Sequence, residues 1–358
     1  MRIRNVPVLR LFLGFDKRKQ RRITVLIGAF LFLVSLHFIL KWDASNHESN
    51  FANLDIDIPE NFVPVRVTER EPLPVSGSSK IPKIIHQTWK DVDVPIQFSD
   101  WIKSWLSLHP DWEYWLWTDS DAEQLIAEKY PSFLEIFKGY TQPIRKADAL
   151  RYFVLYEYGG LYVDMDMEAL TPIDPLTQKY SCFIGQEPYE HPILDTNFEK
   201  LLINALIGCR KGHPFMKMLI DSLPAYSIMW NYLDSTGPHF VTSVFRQYEA
   251  NVPMLEDDDG FVYVTPSEYF YPFIDPDKLK YMFSLCSDHQ KLTTLQLKAC
   301  RNLKFKYLPE NSIDLKEIAF TNHHWYHTYL RKMFSTADRY VSIYLLIPRV
   351  KTYNLHKP

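Results

Sequence analysis

The sequence predicts a layered α/β domain, and two observations carry that prediction. Strand-like and helix-like patterns alternate from Ile81 onward, and one run, Arg145–Glu168, compresses a helix, a glycine stop, a short apolar strand and two closely spaced carboxylates. With 358 residues, 46% of them hydrophobic and 15% aromatic, the chain can bury a sizeable core, so one large domain with appendages is expected. A net charge of −3 excludes a general nucleic-acid binder.

The basic residues collect at one end. Eight Lys or Arg fall in residues 1–22, read as a cytosolic tail, and Ile23–Leu40 follows as an apolar run of 18 residues, close to the ~20 that span a bilayer. Asp43, Glu48, Asp55 and Asp57 lie beyond it, so the positive-inside tendency places the rest of the chain on the luminal side. The expectation is an uncleaved, single-pass type II signal anchor in one N-terminal transmembrane helix. A cleaved signal peptide is the competing reading, but Trp42-Asp43-Ala44-Ser45 is a poor cleavage site. Residues 41–80 lack periodicity and end in Ser76-Gly77-Ser78-Ser79, which reads as a luminal stem.

The folded, catalytic domain is expected over 81–335. Ile84 and Ile85 suit a buried strand that delivers Trp89 beyond its end, where ligands of open α/β sheets sit; the indole either stacks on a base or belongs to the core. Phe98, Trp101, Ile102, Trp105 and Leu108 follow a helical period that stops near His109-Pro110. Trp112–Thr118 reads as a strand, and Ser120 with Glu123 as a capping box for the next helix.

From Ala147 the apolar residues Ala147, Leu150, Val154 and Tyr158 keep helical spacing, while Asp148 and Arg151 share another face, so one face packs and the other offers a carboxylate beside a guanidinium. Gly159-Gly160 ends the helix. Leu161–Val163 reads as a strand, and continued extension would point Asp164 and Asp166 the same way with Met165 turned back. Carboxylates that close repel each other unless a cation lies between them, and Mn²⁺ or Mg²⁺ with a diphosphate is the fitting guest. A solvated strand end is the plainer alternative.

Further on, Cys182–Gln186 is another strand and Leu202–Leu206 opens a segment ending in Gly208. The four cysteines lack zinc-site spacing and form either two disulfides, Cys182 with Cys209 and Cys286 with Cys300, or four buried thiols. Glu256–Gly260 is an acidic turn without the ligand spacing of a calcium loop. Tyr340–Pro348 is too short to span a membrane and either closes the domain or lies on a bilayer, with 336–358 set apart as a C-terminal tail.

Several of these runs together resemble glycosyltransferase family 32, the sugar-binding-region group with a D-x-D motif that includes fungal mannosyltransferases acting on glycans and on inositol phosphoceramide. Arg145–Met167 resembles the core of that family, and Ile81–Lys90, Trp115–Asp119 and Ser235–Pro238 resemble flanking members, so the likeness covers roughly 81–326. It implies a Rossmann-like nucleotide-sugar glycosyltransferase fold of GT-A type. It also implies roles: Asp164 and Asp166 on Mn²⁺ (or Mg²⁺), Asp148 and Arg151 on sugar hydroxyls and the phosphate side, and Trp89 on the base. Ile203–Phe215 is similar to a family segment that makes Asn204 a donor-sugar or acceptor contact, unless it serves a turn. Ser235–Pro238 lines the acceptor side or opens a helix. His323-His324-Trp325 resembles a terminal segment in which one histidine, His324 ahead of His323, completes the metal shell or meets the diphosphate; the alternative is an aromatic cluster. Tyr326-His327-Thr328 departs from the family pattern of a small residue and a second Trp.

The implied activity is hexose transfer with retention of configuration, mannose from GDP-mannose leading and a UDP-sugar as alternative, onto a glycan or glycolipid acceptor at the Golgi membrane, with the endoplasmic reticulum as the other compartment. Two readings of another class stand against it: a metal-dependent phosphohydrolase, for which no compact second ligand set is visible, and a catalytically silent membrane-tethered binding protein.

Overall fold

The computed structural model describes residues 67–70 and 72–355, apart from 197–199, 253–254, 256–257, 288–291, 308–313 and 328–338, together with Gly28 and Val34. The apolar run Ile23–Leu40, the basic lead-in and most of the expected stem therefore lie outside the described residues, as do Glu256 and Asp257. Among the described residues no helix is long and apolar enough to cross a membrane. The chain divides into two units, Met1–Asp57 and Ile58–Pro358, and the second carries everything below.

Its strands are β1 (Ile84–Thr88), β2 (Asp93–Pro95), β3 (Glu113–Trp117), β4 (Gly160–Val163), β5 (Met167–Ala169), β6 (Cys182–Gln186), β7 (Leu202–Cys209), β8 (Tyr263–Thr265), β9 (Thr321–His323), β10 (Tyr340–Ser342) and β11 (Lys351–Thr352). Seven of them form one sheet in the order β11-β3-β1-β4-β7-β6-β8. The pairs β11/β3, β3/β1, β1/β4 and β6/β8 are parallel, whereas β7 runs against both β4 and β6. β5 pairs with β9 and β10 with β2 in two small ribbons.

The alternation of side chains along each strand divides the core in two. Trp115, Trp117, Tyr162, Cys182 and Ile184 face helices on one side. Ile85, Tyr114, Leu116, Leu161, Val163 and Phe183 face the other. Because both faces are covered, β4, β6 and β7 are buried throughout, as their largely apolar character requires. The longer helices are α1 (Ser99–Leu108), α2 (Asp119–Lys129), α3 (Pro143–Tyr158), α4 (Pro214–Tyr226), α5 (Pro238–Asn251), α6 (Pro276–Leu285) and α7 (Thr294–Lys306). The expected disulfides are present, Cys182–Cys209 across the β6/β7 register and Cys286–Cys300 between the α6 end and α7.

Four expectations need correction. α2 is capped by Thr118 and Asp121 rather than Ser120 and Glu123: the Thr118 hydroxyl accepts from the Asp121 N–H, and the Thr118 N–H donates to the Asp121 carboxylate. The polar face of α3 is not open, because Arg145, Asp148 and Arg151 are all buried, α4 packing on the helix and the 235–237 turn covering its polar residues. Within the expected 336–358 tail, the described residues 339–355 are built into the fold: β11 forms one edge of the large sheet, β10 pairs with β2 in a ribbon, and Ile343, Ile347, Val350 and Tyr353 are buried. Finally, the folded unit begins before Ile81. Val67 and Leu73 pack on the α1 side of the core, Arg70 pairs with Glu268, and the Lys80 N–H donates to the Thr177 carbonyl.

Gly159 and Gly160 end α3 with φ of +66° and +110°. A Cβ on Gly160 would lie 2.5 Å from the Ile84 carbonyl oxygen, so the α3–β4 corner depends on a residue without one. Gly160→Ala should therefore cost about 2 kcal/mol or more of stability. Urea unfolding followed by circular dichroism checks this, and an unchanged midpoint would contradict the account of the corner.

Candidate active site

The sheet topology gathers the candidate residues at one edge. β1, β3 and β4 are parallel and end together, so Trp89 and Asp164 emerge side by side in the fold. β7 starts where these strands end, which brings Asn204 and Ala205 to the same edge, where the Ala205 carbonyl accepts the Asp164 N–H. α3 leads into β4 and so begins at that edge, carrying Arg145, Asp148 and Arg151 on its first turns.

The D-x-D is not an extended strand. β4 stops at Val163, and the Met167 N–H closes back onto the Asp164 carbonyl, a turn that buries Met165 in the core and leaves both carboxylates on the site side. Asp164 keeps 31% of its side chain open to solvent, so a ligand can reach it.

Behind it stands a buried relay. Asp148, 3% exposed, accepts from Asn204 Nδ2 at 3.0 Å, from Arg151 Nη2 at 2.9 Å and from the Thr236 hydroxyl at 3.1 Å. Arg151 also donates to the Asn204 carbonyl at 2.5 Å, reaches Asp164 Oδ1 at 3.4 Å and lies 4.5 Å from the centre of the Tyr162 ring. The Tyr162 hydroxyl donates to the same Asp164 oxygen at 3.0 Å. Burial of such charges is tolerated only with this degree of pairing.

Asp166 is held from the other side by the β5/β9 ribbon, whose register sets Met167 opposite His323. His323 Nε2 lies 3.3 Å from Asp166 Oδ1, and the Tyr326 N–H donates to Asp166 Oδ2 at 2.8 Å. Trp325 takes a left-handed φ of 51°, an uncommon conformation for a bulky residue, and its ring sits 4.2 Å from that of His323. Burial, together with repulsion from Asp166, holds the Asp164 carboxyl above the usual carboxylate range despite Arg151. For Asp166 burial acts in the same sense, but the His323 charge and hydrogen bond outweigh it and hold the carboxyl low. His323 is correspondingly raised by Asp166 against the cost of its burial.

Three carboxylates thus face one permanent cation and one titratable imidazole. His323 Nδ1 is buried without a hydrogen-bond partner. Excess negative charge, hard oxygen donors and an open edge on Asp164 fit a divalent cation.

The structure brings Asp148, Arg151, Asp164, Asp166 and Asn204 together. His324 is not among them: its Nε2 lies 3.0 Å from Glu168 and its ring stacks on Trp101 at 4.0 Å, because one step along the chain from His323 points it away. Asn204 is 4% exposed and gives its amide to Asp148 and to the Tyr152 hydroxyl, so it braces the site instead of reaching outward. Ser235 and Thr236 are fully buried, in the turn that opens α5. Trp89 is half-buried at the exit of β1, edge-on to Phe98 at 5.8 Å, and Phe98 in turn meets Tyr326 at 5.1 Å. Sequence reasoning passed over Tyr162, Tyr152 and Glu187. The last follows β6 directly, a carboxylate straight after an apolar strand, and takes a 2.8 Å contact from His191.

Two fungal relatives are similar to this chain. Inositol phosphoceramide mannosyltransferase 3 of Schizosaccharomyces pombe is 36% identical over 176 residues, 48% of this chain and 46% of that one. Mannosyl phosphorylinositol ceramide synthase SUR1 of Saccharomyces cerevisiae is 37% identical over 174 residues, 47% of this chain and 43% of that one. The matches thus span under half the length of these relatives. Among solved structures, the PaToxG glycosyltransferase aligns over 67% of this chain and 89% of its own at 16% identity, with a TM-score of 0.37, too distant a likeness to bear weight. Residues 95–183 match the model of the glycosyltransferase sugar-binding region containing a DXD motif, a span that includes Asp148, Arg151, Asp164 and Asp166.

Proposed function

We propose that the chain is a retaining hexosyltransferase that moves mannose from GDP-mannose onto an inositol phosphoceramide or related glycolipid. The observation that carries this is the charge balance at the sheet edge, where Asp148, Asp164 and Asp166 face a single guanidinium within a DXD sugar-binding region. The mixed sheet, with its carboxylates beyond the strand ends, supports reading the domain as GT-A type. The names of the two fungal relatives support mannose and the acceptor class.

Asp164 and Asp166, with His323 beside them, would hold Mn²⁺ or Mg²⁺, which when bound neutralises charge developing on a diphosphate leaving group. The protein's own part is fixation. Asn204 and Thr236 hold Asp148, Asp148 orients Arg151, and Arg151 with Tyr162 sets the rotamer of Asp164. His323 keeps Asp166 ionised and in place. The basic lead-in and the apolar run Ile23–Leu40 support a type II arrangement in the Golgi membrane, and the two disulfides suit an oxidising lumen.

Four measurements test this reading. Sugar release from a panel of nucleotide sugars, with and without Mn²⁺, should be largest for GDP-mannose and metal-dependent; release from none of them would sink the enzyme assignment. Asp164→Asn and Asp166→Asn should each lower that release by about 100-fold or more while leaving thermal unfolding in place. His323→Ala should raise the Mn²⁺ concentration for half-maximal turnover about tenfold or more, and His324→Ala should change it far less; equal effects would remove His323 from the ion's surroundings. Since Asp164 must lose its proton to take a cation, and its carboxyl is held high, apparent Mn²⁺ affinity should weaken on acidification from neutrality, well before the ~4 of an ordinary carboxylate. A titration of Mn²⁺ binding against pH that stays flat to that point contradicts it.

A further inference from the structure

The loop between α4 and the 232–235 turn carries Ile228, Met229 and Trp230, whose exposures are 85%, 44% and 91%. Three consecutive apolar residues facing water are unusual, and such patches mark contact surfaces. The backbone beneath them is fixed. Arg145, itself buried, donates to the Met229 carbonyl at 2.9 Å, to the Trp230 carbonyl at 2.5 Å and to the Ser235 hydroxyl at 3.1 Å. The Met229 N–H donates to the Tyr226 carbonyl, and Asn231 caps the next turn through the Leu233 N–H. The loop thus holds its apolar side chains outward on a braced frame instead of folding them inward.

Its place in the fold gives the patch meaning. Arg145 lies on the first turn of α3, at the sheet edge that bears the carboxylates, and Thr236, next to the Arg145 partner Ser235, is the group that holds Asp148. The same edge carries further exposed apolar residues where β1 gives way to β2 and α1: Ile96 at 48% and Tyr340 at 38%, the latter with the Lys90 ammonium 4.9 Å from its ring. Asp91 and Asp93 also lie there, so the rim is mixed in charge and not a purely electrostatic surface.

We propose that the Ile228–Trp230 loop inserts into the lipid surface from which the acceptor is presented, and so sets the catalytic edge against the bilayer. The inference rests on the reading of a lipid-borne acceptor given above. A ceramide-anchored headgroup stays at the bilayer interface, so the carboxylate edge must come to it, and tryptophan beside aliphatic side chains is the composition that partitions into that interface.

The test uses the full chain in vesicles of phosphatidylcholine with phosphatidylinositol. All four native cysteines are bridged, so Trp230→Cys takes a single environment-sensitive fluorophore, and Lys217→Cys on α4, which follows the opposite end of β7, is the control. A lipid-borne quencher should reach the label at 230 and not at 217. In the double variant I228S/W230S, transfer to inositol phosphoceramide in vesicles should fall about tenfold, while transfer to free inositol phosphate and hydrolysis of the donor stay within about twofold. No quenching at 230 overturns the proposal, as does undiminished transfer to the vesicle-borne lipid. An equal loss on both acceptors would make the loop part of the sugar-binding surface and overturn it too. Absence of donor hydrolysis in the unsubstituted chain would instead strike the enzymatic reading, and the quenching comparison would still decide whether the loop meets lipid.

Discussion

The buried guanidinium of Arg151 is the contact on which the rest of the site depends. It joins Asp148 on its own helix to Asp164 beyond β4, and it is 1% exposed, so no water substitutes for either carboxylate. Two like charges would otherwise meet in a poorly solvated space where a single cation is worth far more than at a surface. The surrounding groups are spent on keeping this cation in one position: the Asn204 carbonyl, the Tyr162 ring and, through Asp148, the Thr236 hydroxyl. The sheet, α3 and the turn before α5 are therefore tied at one point, and the corner at Gly159-Gly160 exists to let helix and strand meet there.

Much of this was legible in the sequence, and the reasons differ by element. The periodic apolar runs gave away α1, α3, β3 and β6 because each is long enough for its burial pattern to show. Asp148, Arg151, Asp164 and Asp166 were found from spacing on one helix and one strand, both local features. The environment of α3 is not legible in the sequence, since its polar face is covered by Asn204 of β7, by the 229–230 loop and by the 235–237 turn, all distant in sequence. β10 and β11 are two or three residues each, too short to display a period, and so the segment holding them read as a tail.

The choice between His323 and His324 shows the same limit at its sharpest. Adjacent residues in a strand point to opposite sides, so the answer turns on register, and the register is set by β5 pairing Met167 with His323. No property of the two histidines themselves distinguishes them. The left-handed backbone at Trp325 and His327 likewise follows from the need to bring the Tyr326 N–H to Asp166 after the ribbon ends.

One feature of the sheet bears on how the chain reaches this state. β3 has β1 on one side, and its other side is filled by β11, with Lys351 beside Trp115, Tyr353 stacked on Trp117 at 5.3 Å and its hydroxyl donating to Glu128. During synthesis the β3 border stays open until those late residues leave the ribosome, an unprotected strand rich in tryptophan. The aromatic seam is thus both a closing stitch and, until it is made, the stretch most in need of a chaperone's cover.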